Sequence, residues 1–147
     1  MRTKIRDNIR QGMPVLAECG GYMYLSESME DMDGNVYPMV QAVPGNVYRT
    51  KKLGRFGYIT LTPNTKDTFR NGGNPVRGHE FHYFDSTDCG SAWHAAKPLR
   101  KRNWECIHAT KRMMAGFPHL YYMQVRTSHW NFWSSVSLTG KNRRKQR

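Results

Sequence analysis

Hydrophobic positions in the first thirty residues change their period twice. Over residues 2–11, Ile5 and Ile9 lie four apart in an otherwise charged segment, which predicts a short amphipathic helix closing near Gly12. Pro14 then leads into the apolar run Val15, Leu16 and Ala17, a buried strand over 14–18. Tyr22, Met23 and Leu25 restore helical spacing, and a helix is predicted over 21–30, closed by the turn Asp33-Gly34-Asn35. Residues 39–43 read as a strand ended by Pro44-Gly45. Residues 56–61 alternate Phe56, Tyr58 and Thr60 against Gly57, Ile59 and Leu61, again a strand. Residues 71–75 form a loop, and 76–84 and 113–118 are the remaining strand candidates. There is no internal repeat, and only the final basic tail is of low complexity. The order is that of an α/β protein.

The junction of the first strand and second helix carries the most specific chemistry. It reads Ala17-Glu18-Cys19-Gly20-Gly21. A strand that turns sharply into a helix exposes one side chain at the bend, as in the nucleophile elbow of hydrolases. Glycines beside such a bend are expected to supply unusual backbone angles and close approaches. A thiol there also feels the positive end of the helix dipole, which favours the thiolate. The alternative is that Cys19 is a small buried hydrophobe, as most free cysteines are. Glu18 and the paired glycines are poor choices for a plain connection, so Cys19 is read as a nucleophile.

Such a thiol needs an imidazole to take its proton and return it to a leaving group. The candidates are His79, His82, His94, His108, His119 and His129. In Gly78-His79-Glu80-Phe81-His82, strand alternation puts Glu80 and His82 on one face and His79 and Phe81 on the other. His79 and His82 therefore do not chelate one metal. Cys89, Cys106 and His108 lack the paired close spacings of structural zinc motifs. No metal is expected.

Composition narrows the class. A chain of 147 residues suits one domain. Hydrophobic content of 38% and a mean hydropathy of -0.77 fit a soluble protein, and no apolar run approaches the ~20 residues of a membrane span. The start, Met1 to Arg6, lacks the apolar stretch of a signal peptide. Three cysteines, spread at 19, 89 and 106, form no disulfide framework, so a reducing cytoplasm is expected. The net charge is +12 and the pI about 10.0. Much of the excess is local, in Lys141, Arg143, Arg144, Lys145 and Arg147, with a second run at Lys97, Arg100, Lys101 and Arg102. No DNA or RNA motif accompanies it, so a solvated face and a tail explain it better than nucleic acid.

The elbow also carries a family likeness. Ala17 to Gly21 resembles the nucleophile motif of class I glutamine amidotransferases of the cobyrinate/cobyrate synthase type. Further motifs follow in order: Tyr37-Pro38-Met39, then Leu53-Gly54-Arg55-Phe56-Gly57-Tyr58, then Gly78-His79-Glu80-Phe81-His82-Tyr83, then Ala115-Gly116-Phe117-Pro118-His119-Leu120-Tyr121. Their order and spacing are similar to those of the C-terminal amidotransferase domain of the cobyrinate a,c-diamide synthases, over residues 1–123. Residues 124–147, with Met123 onward unlike the family, are expected to be a divergent, poorly ordered basic tail.

The resemblance implies a class I amidotransferase-like α/β fold, a mostly parallel sheet flanked by helices and incomplete at the N-terminus. It implies Cys19 as nucleophile and His119 as its base, ahead of His82. Glu80 and His82 border the site, ordering it or contacting a partner domain. Lys52, in Arg49-Thr50-Lys51-Lys52-Leu53, matches the basic residue that holds the α-carboxylate of L-glutamine. Lysine cannot offer the bidentate fork of arginine, and Lys52 is equally readable as an ordinary loop lysine.

The implied function is to supply ammonia for ATP-dependent amidation of the a and c carboxylates of cobyrinate in cobalamin biosynthesis. A corrinoid carries many carboxylates and suits a basic protein. ATP and Mg are expected in a synthetase domain that this chain lacks, since no phosphate-loop motif occurs. The glycine-rich loop that supplies an oxyanion donor in relatives is also missing, and losing such a donor typically lowers the rate by ~10²–10³. The chain alone is therefore expected to be weak or inactive. The alternatives are the amidotransferase domain of a related tetrapyrrole or cobyrate amidase, or a non-catalytic basic nucleic-acid-binding remnant.

Overall fold

The computed structural model describes residues 1–64 and 74–124. The tail expected over 124–147 lies outside the described residues, apart from Gln124, and so does most of the loop at 71–75. The chain begins with α1 (Arg2–Arg10), whose Ile5 and Ile9 pack against a core as their spacing predicts. Next come β1 (Val15–Glu18) and α2 (Gly20–Leu25). A run of strands follows: β2 (Ser28–Glu30), β3 (Val36–Pro38), β4 (Asn46–Arg49), β5 (Arg55–Pro63), β6 (Val76–His82) and β7 (Phe84–Ser86). The remainder is β8 (Trp93–Ala96), β9 (Asn103–Cys106), β10 (His108–Ala109), β11 (Met113–Gly116), β12 (His119–Leu120) and a 3₁₀ turn at Tyr122–Gln124.

Among the described residues the strands form three sheets, in the orders β1-β11-β10, β12-β6-β5-β8-β9 and β3-β2-β4-β7. The architecture is α/β with mixed sheets and few helices. The mostly parallel sheet expected from the family is not what the described strands form. Parallel pairing joins β1 to β11 and β2 to β4, and the other described pairs are antiparallel. A parallel pair needs a long crossover, and the connections that join β2 to β3, β8 to β9 and β10 to β11 are too short for one. Among the described residues no helix is long and apolar enough to cross a membrane.

Two sequence expectations fail for one shared reason. The helix expected over 21–30 stops at Leu25, and the strand expected over 39–43 is a loop. The loop's amides cap the helix: Val40 donates to Tyr24 (3.0 Å), Gln41 to Ser26 (2.8 Å) and Ala42 to Leu25 (2.9 Å). Ser26, fully buried and extended, adds its hydroxyl to the Met23 carbonyl at 2.6 Å. The apolar pattern of 39–43 comes from Val40 and Val43, which are buried but fill a core from a loop.

The described residues form two cores, and β11 separates them. Met114 belongs to the cluster of Ile59, Leu61, Val76, Trp93, Ala95, Cys106 and Ile107. Ala115, one residue on, belongs with Tyr22, Leu25, Val40, Val43 and Phe117. Successive strand residues face opposite ways, so a single strand lines both. The second core anchors α2 through Tyr22, which is fully buried, packs edge-on to Phe117 and donates its hydroxyl to the Asp88 carbonyl at 2.6 Å.

Candidate active site

The parallel pair β1 and β11 brings two distant segments out of the sheet side by side. Glu18 registers with Gly116, and the Cys19 amide extends the ladder by donating to the Gly116 carbonyl at 2.9 Å. Past that level one strand turns into α2 at Cys19. The other continues through Phe117 and Pro118 to His119.

Cys19 has φ 46° and ψ −109°, a backbone conformation that L-residues avoid. Its carbonyl accepts the amide of Met23 (2.9 Å) and so starts the helix. The expectation that the adjacent glycines carry the unusual angles is corrected here: the left-handed residue is Cys19 itself. A Cβ at Gly20 would meet nothing within 4 Å, and one at Gly21 would make ordinary contact with Ala17 Cβ at 3.6 Å. Space is left open beside the bend, and strain of roughly 1–3 kcal/mol is stored at the thiol-bearing residue. Cys19→Gly should therefore be about 1 kcal/mol more stable than Cys19→Ala, because alanine inherits the strain and glycine does not. Urea unfolding of the two variants measures this, and equal or reversed stabilities would remove the strain assignment.

The expected low thiol pKa is also corrected. Partial burial pushes the Cys19 thiol up, as do the carboxylates of Glu18 and Glu80, against an opposing hydrogen bond from the Gly20 amide. A helix of six residues has too little dipole to reverse this. At neutral pH Cys19 rests as a thiol and needs a base. Burial raises the other cysteines as well, Cys89 to about 11 and Cys106 further.

His119 opens β12, which pairs antiparallel with β6 so that His119 sits opposite His79 and Leu120 opposite Gly78. Gly78 is what lets the strand approach: a Cβ there would lie 2.9 Å from the His119 carbonyl oxygen. The His119 ring is half exposed. Its Nδ1 lies 3.4 Å from Oε2 of Glu18. The other oxygen of Glu18 accepts the Leu120 amide (3.1 Å) and the Tyr122 hydroxyl. Burial, with Glu18 adding to it, keeps the Tyr122 phenol protonated and able to donate.

The Gly78 to His82 motif thus divides its work. Glu80 and His82 face inward and are buried, whereas Phe81 faces out, as alternation predicts. The His82 ring stacks on Phe117 with centroids 4.1 Å apart, directly beneath the segment that carries His119. Its Nδ1 donates to the Phe84 carbonyl at 2.6 Å, and burial pushes its pKa down. Glu80 Oε2 lies 4.0 Å from His82 Nε2. Burial pushes the Glu80 carboxyl up to about 7, against the pull of the Arg55 and Lys97 cations. Lys52 is exposed in the turn between β4 and β5, with its carbonyl accepting from the Thr50 hydroxyl at 2.7 Å.

Sequence reasoning singled out Cys19, His119, Glu80 and His82, and the fold gathers Glu18, Cys19, His119 and the buried Glu80–His82 pair around the ends of β1, β6 and β11. It did not foresee that Glu18 reaches His119, or that Gly78 makes room for it. Glu18 and Leu120 are 102 positions apart, and no local pattern joins them.

The family model of the CobB/CobQ-like glutamine amidotransferase domain matches residues 1–126. Among curated proteins, a cobyrinate a,c-diamide synthase of Caldanaerobacter subterraneus subsp. tengcongensis is 37% identical over 143 residues, covering 96% of this chain and 32% of that protein. One from Fusobacterium nucleatum is 42% identical over 126 residues, covering 83% and 27%. A third, from Salmonella typhimurium, is 32% identical over 136 residues, covering 88% and 30%. The chain spans about a third of the length of the curated relatives it matches. It belongs to the CobB/CobQ-like glutamine amidotransferase domain family.

Proposed function

We propose that this domain hydrolyses the side-chain amide of L-glutamine and supplies the ammonia for amidating the a and c carboxylates of cobyrinate, a step of cobalamin biosynthesis. The observation that carries the reading is the left-handed Cys19 at the end of β1 beside the His119 segment at the end of β11, in a chain of this family. The finer fold reading goes with it: β1 and β11 form the parallel heart of a class I amidotransferase-like sheet.

In the first half-reaction His119 takes the thiol proton, and Cys19 Sγ attacks the amide carbon. The same proton passes to the departing nitrogen, the C–N bond breaks, and ammonia leaves a glutamyl thioester on Cys19. In the second, His119 takes a proton from water, whose oxygen attacks the thioester carbon; the C–S bond breaks, His119 returns the proton to the Cys19 sulfur, and glutamate is released. The amide of Gly20, the residue after the nucleophile, serves as a donor to the oxyanion. The exposed Lys52 serves the α-carboxylate of glutamine. The sequence has no glycine-rich phosphate loop, so ATP and Mg are assigned to the synthetase portion of the longer relatives.

The test is labelling with the glutamine analogue 6-diazo-5-oxo-L-norleucine, mapped by mass spectrometry. Cys19 should be labelled ahead of Cys89 and Cys106, and His119→Ala should slow it by ~10² or more while His82→Ala has a smaller effect. First labelling at Cys89 or Cys106, or a larger effect of His82→Ala, would overturn the assignment.

A further inference from the structure

We infer that Glu18 is the positioning residue for His119, so that the site works as a Cys–His–Glu unit whose acid comes from the nucleophile's own strand. The inference rests on the amidotransferase reading above and adds a residue that this reading does not use.

The geometry is specific. Parallel register places Glu18 opposite Gly116, and the carboxylate spans from there to the ring three residues further along, with Oε2 at 3.4 Å from His119 Nδ1. Its second oxygen is held by the Leu120 amide and the Tyr122 hydroxyl, so the carboxylate's direction is set by the backbone that carries His119. The other acids around the site are engaged elsewhere. Glu80 faces His82, Asp85 pairs with Arg55 at 3.6 Å, and Asp88 lies 3.7 Å from His108.

A carboxylate beside Nδ1 favours the tautomer with the proton on Nδ1, which leaves the Nε2 lone pair free for the thiol proton. When Nε2 takes that proton, the imidazolium cation forms next to an anion already in place. His119 is half exposed, so the carboxylate supplies the orientation that burial does not. The raised pKa of Cys19 gives this its importance: a thiol that does not ionise by itself depends on a base in the correct tautomer.

The experiment uses this chain, with ¹⁵N ring shifts of His119 recorded at about pH 8.5 and the rate of Cys19 labelling by 6-diazo-5-oxo-L-norleucine. In the wild type the proton should reside on Nδ1. Glu18→Gln keeps an acceptor for Leu120 and Tyr122 but can turn its amide NH₂ toward the ring. It should shift the proton to Nε2 and lower the maximal labelling rate by ~10² or more, with the half-saturating analogue concentration unchanged within about threefold.

The inference is overturned by a wild-type His119 protonated mainly on Nε2, a result that needs no variant and is unaffected by one that fails to fold. It is also overturned if Glu18→Gln leaves both tautomer and labelling rate unchanged. Labelling of wild-type Cys19 that depends on His119 but not on Glu18 removes this inference and leaves the amidotransferase reading standing. Wild-type Cys19 that resists the analogue altogether removes both.

Discussion

Cys19→Ala should eliminate glutamine-dependent amidation, by ~10⁴-fold or more, while ammonia-dependent amidation survives. The setting is a chimera in which this domain replaces the matching third of a curated relative, assayed with either nitrogen source. The two activities part because the thiol is needed only to liberate ammonia, and added ammonia enters after that step. Structural disturbance is expected to be small. Alanine is subject to the same unfavourable φ as cysteine, and the hydrogen bonds that hold the bend, from Cys19 to Gly116 and from Met23 to Cys19, are made by backbone. Loss of both activities would mean that Cys19 is structural. Retention of both would mean that the nucleophile lies elsewhere.

The second large effect concerns stability and pH. Glu80 is fully buried on β6, and its carboxyl titrates near 7 in the fold against 4.5 when unperturbed. Between these values the native state holds a proton that the unfolded chain has released. Stability therefore falls as pH rises from about 4.5 to about 7 and falls no further from this source above it. The shift corresponds to a loss on the order of 3 kcal/mol. Glu80→Gln removes the ionisation. Its melting temperature should gain on the wild type by roughly 5–10 °C across that window, since about 2–4 °C accompany each kcal/mol at this size. Thermal unfolding by circular dichroism at four or five pH values measures the difference between the two proteins. His82, titrating in both, cancels to first order. A difference that stays constant from pH 4.5 to 7.5 would show that Glu80 is ionised throughout and held by Arg55 and Lys97.

Such a buried carboxyl next to the site also bears on Cys19. Ionised Glu80 is one of the charges that push the thiol up, together with the burial that contributes most. A proton on Glu80 removes one obstacle to thiolate formation, which links the state of β6 to the reactivity of the elbow.

Local pattern was enough for the parts of this protein that local forces build. The four-residue spacing of Ile5 and Ile9 is a helix because one face meets a core, and α1 spans the predicted residues. Val15 to Glu18 is a strand, and the abrupt change from apolar run to Glu-Cys-Gly-Gly marks a sharp bend. The alternation of residues 56–61 and the candidate strand 76–84 predicted two strands and which residues share a face, and the fold decided that on β5 Ile59 and Leu61 are buried while Phe56 and Tyr58 are exposed.

What the sequence left open depends on chain segments meeting from far apart. Residues 39–43 have a strand's apolarity, but their amides are used to cap α2. Their conformation was decided by which unpaired carbonyls lay nearby. The strained φ was expected at the glycines and fell on Cys19, because the parallel ladder with β11 holds the Cys19 amide while the helix begins at its carbonyl. The thiol pKa was expected to fall through a helix dipole, and burial with two neighbouring carboxylates raises it instead. By itself the sequence determined that a thiol sits at a strand-to-helix bend, and which histidines could serve it. Only the tertiary structure decided that Glu18 faces His119, because that contact crosses from β1 to the segment after β11. Its physical origin is strand register and the clearance at Gly78, neither of which any neighbouring residue encodes.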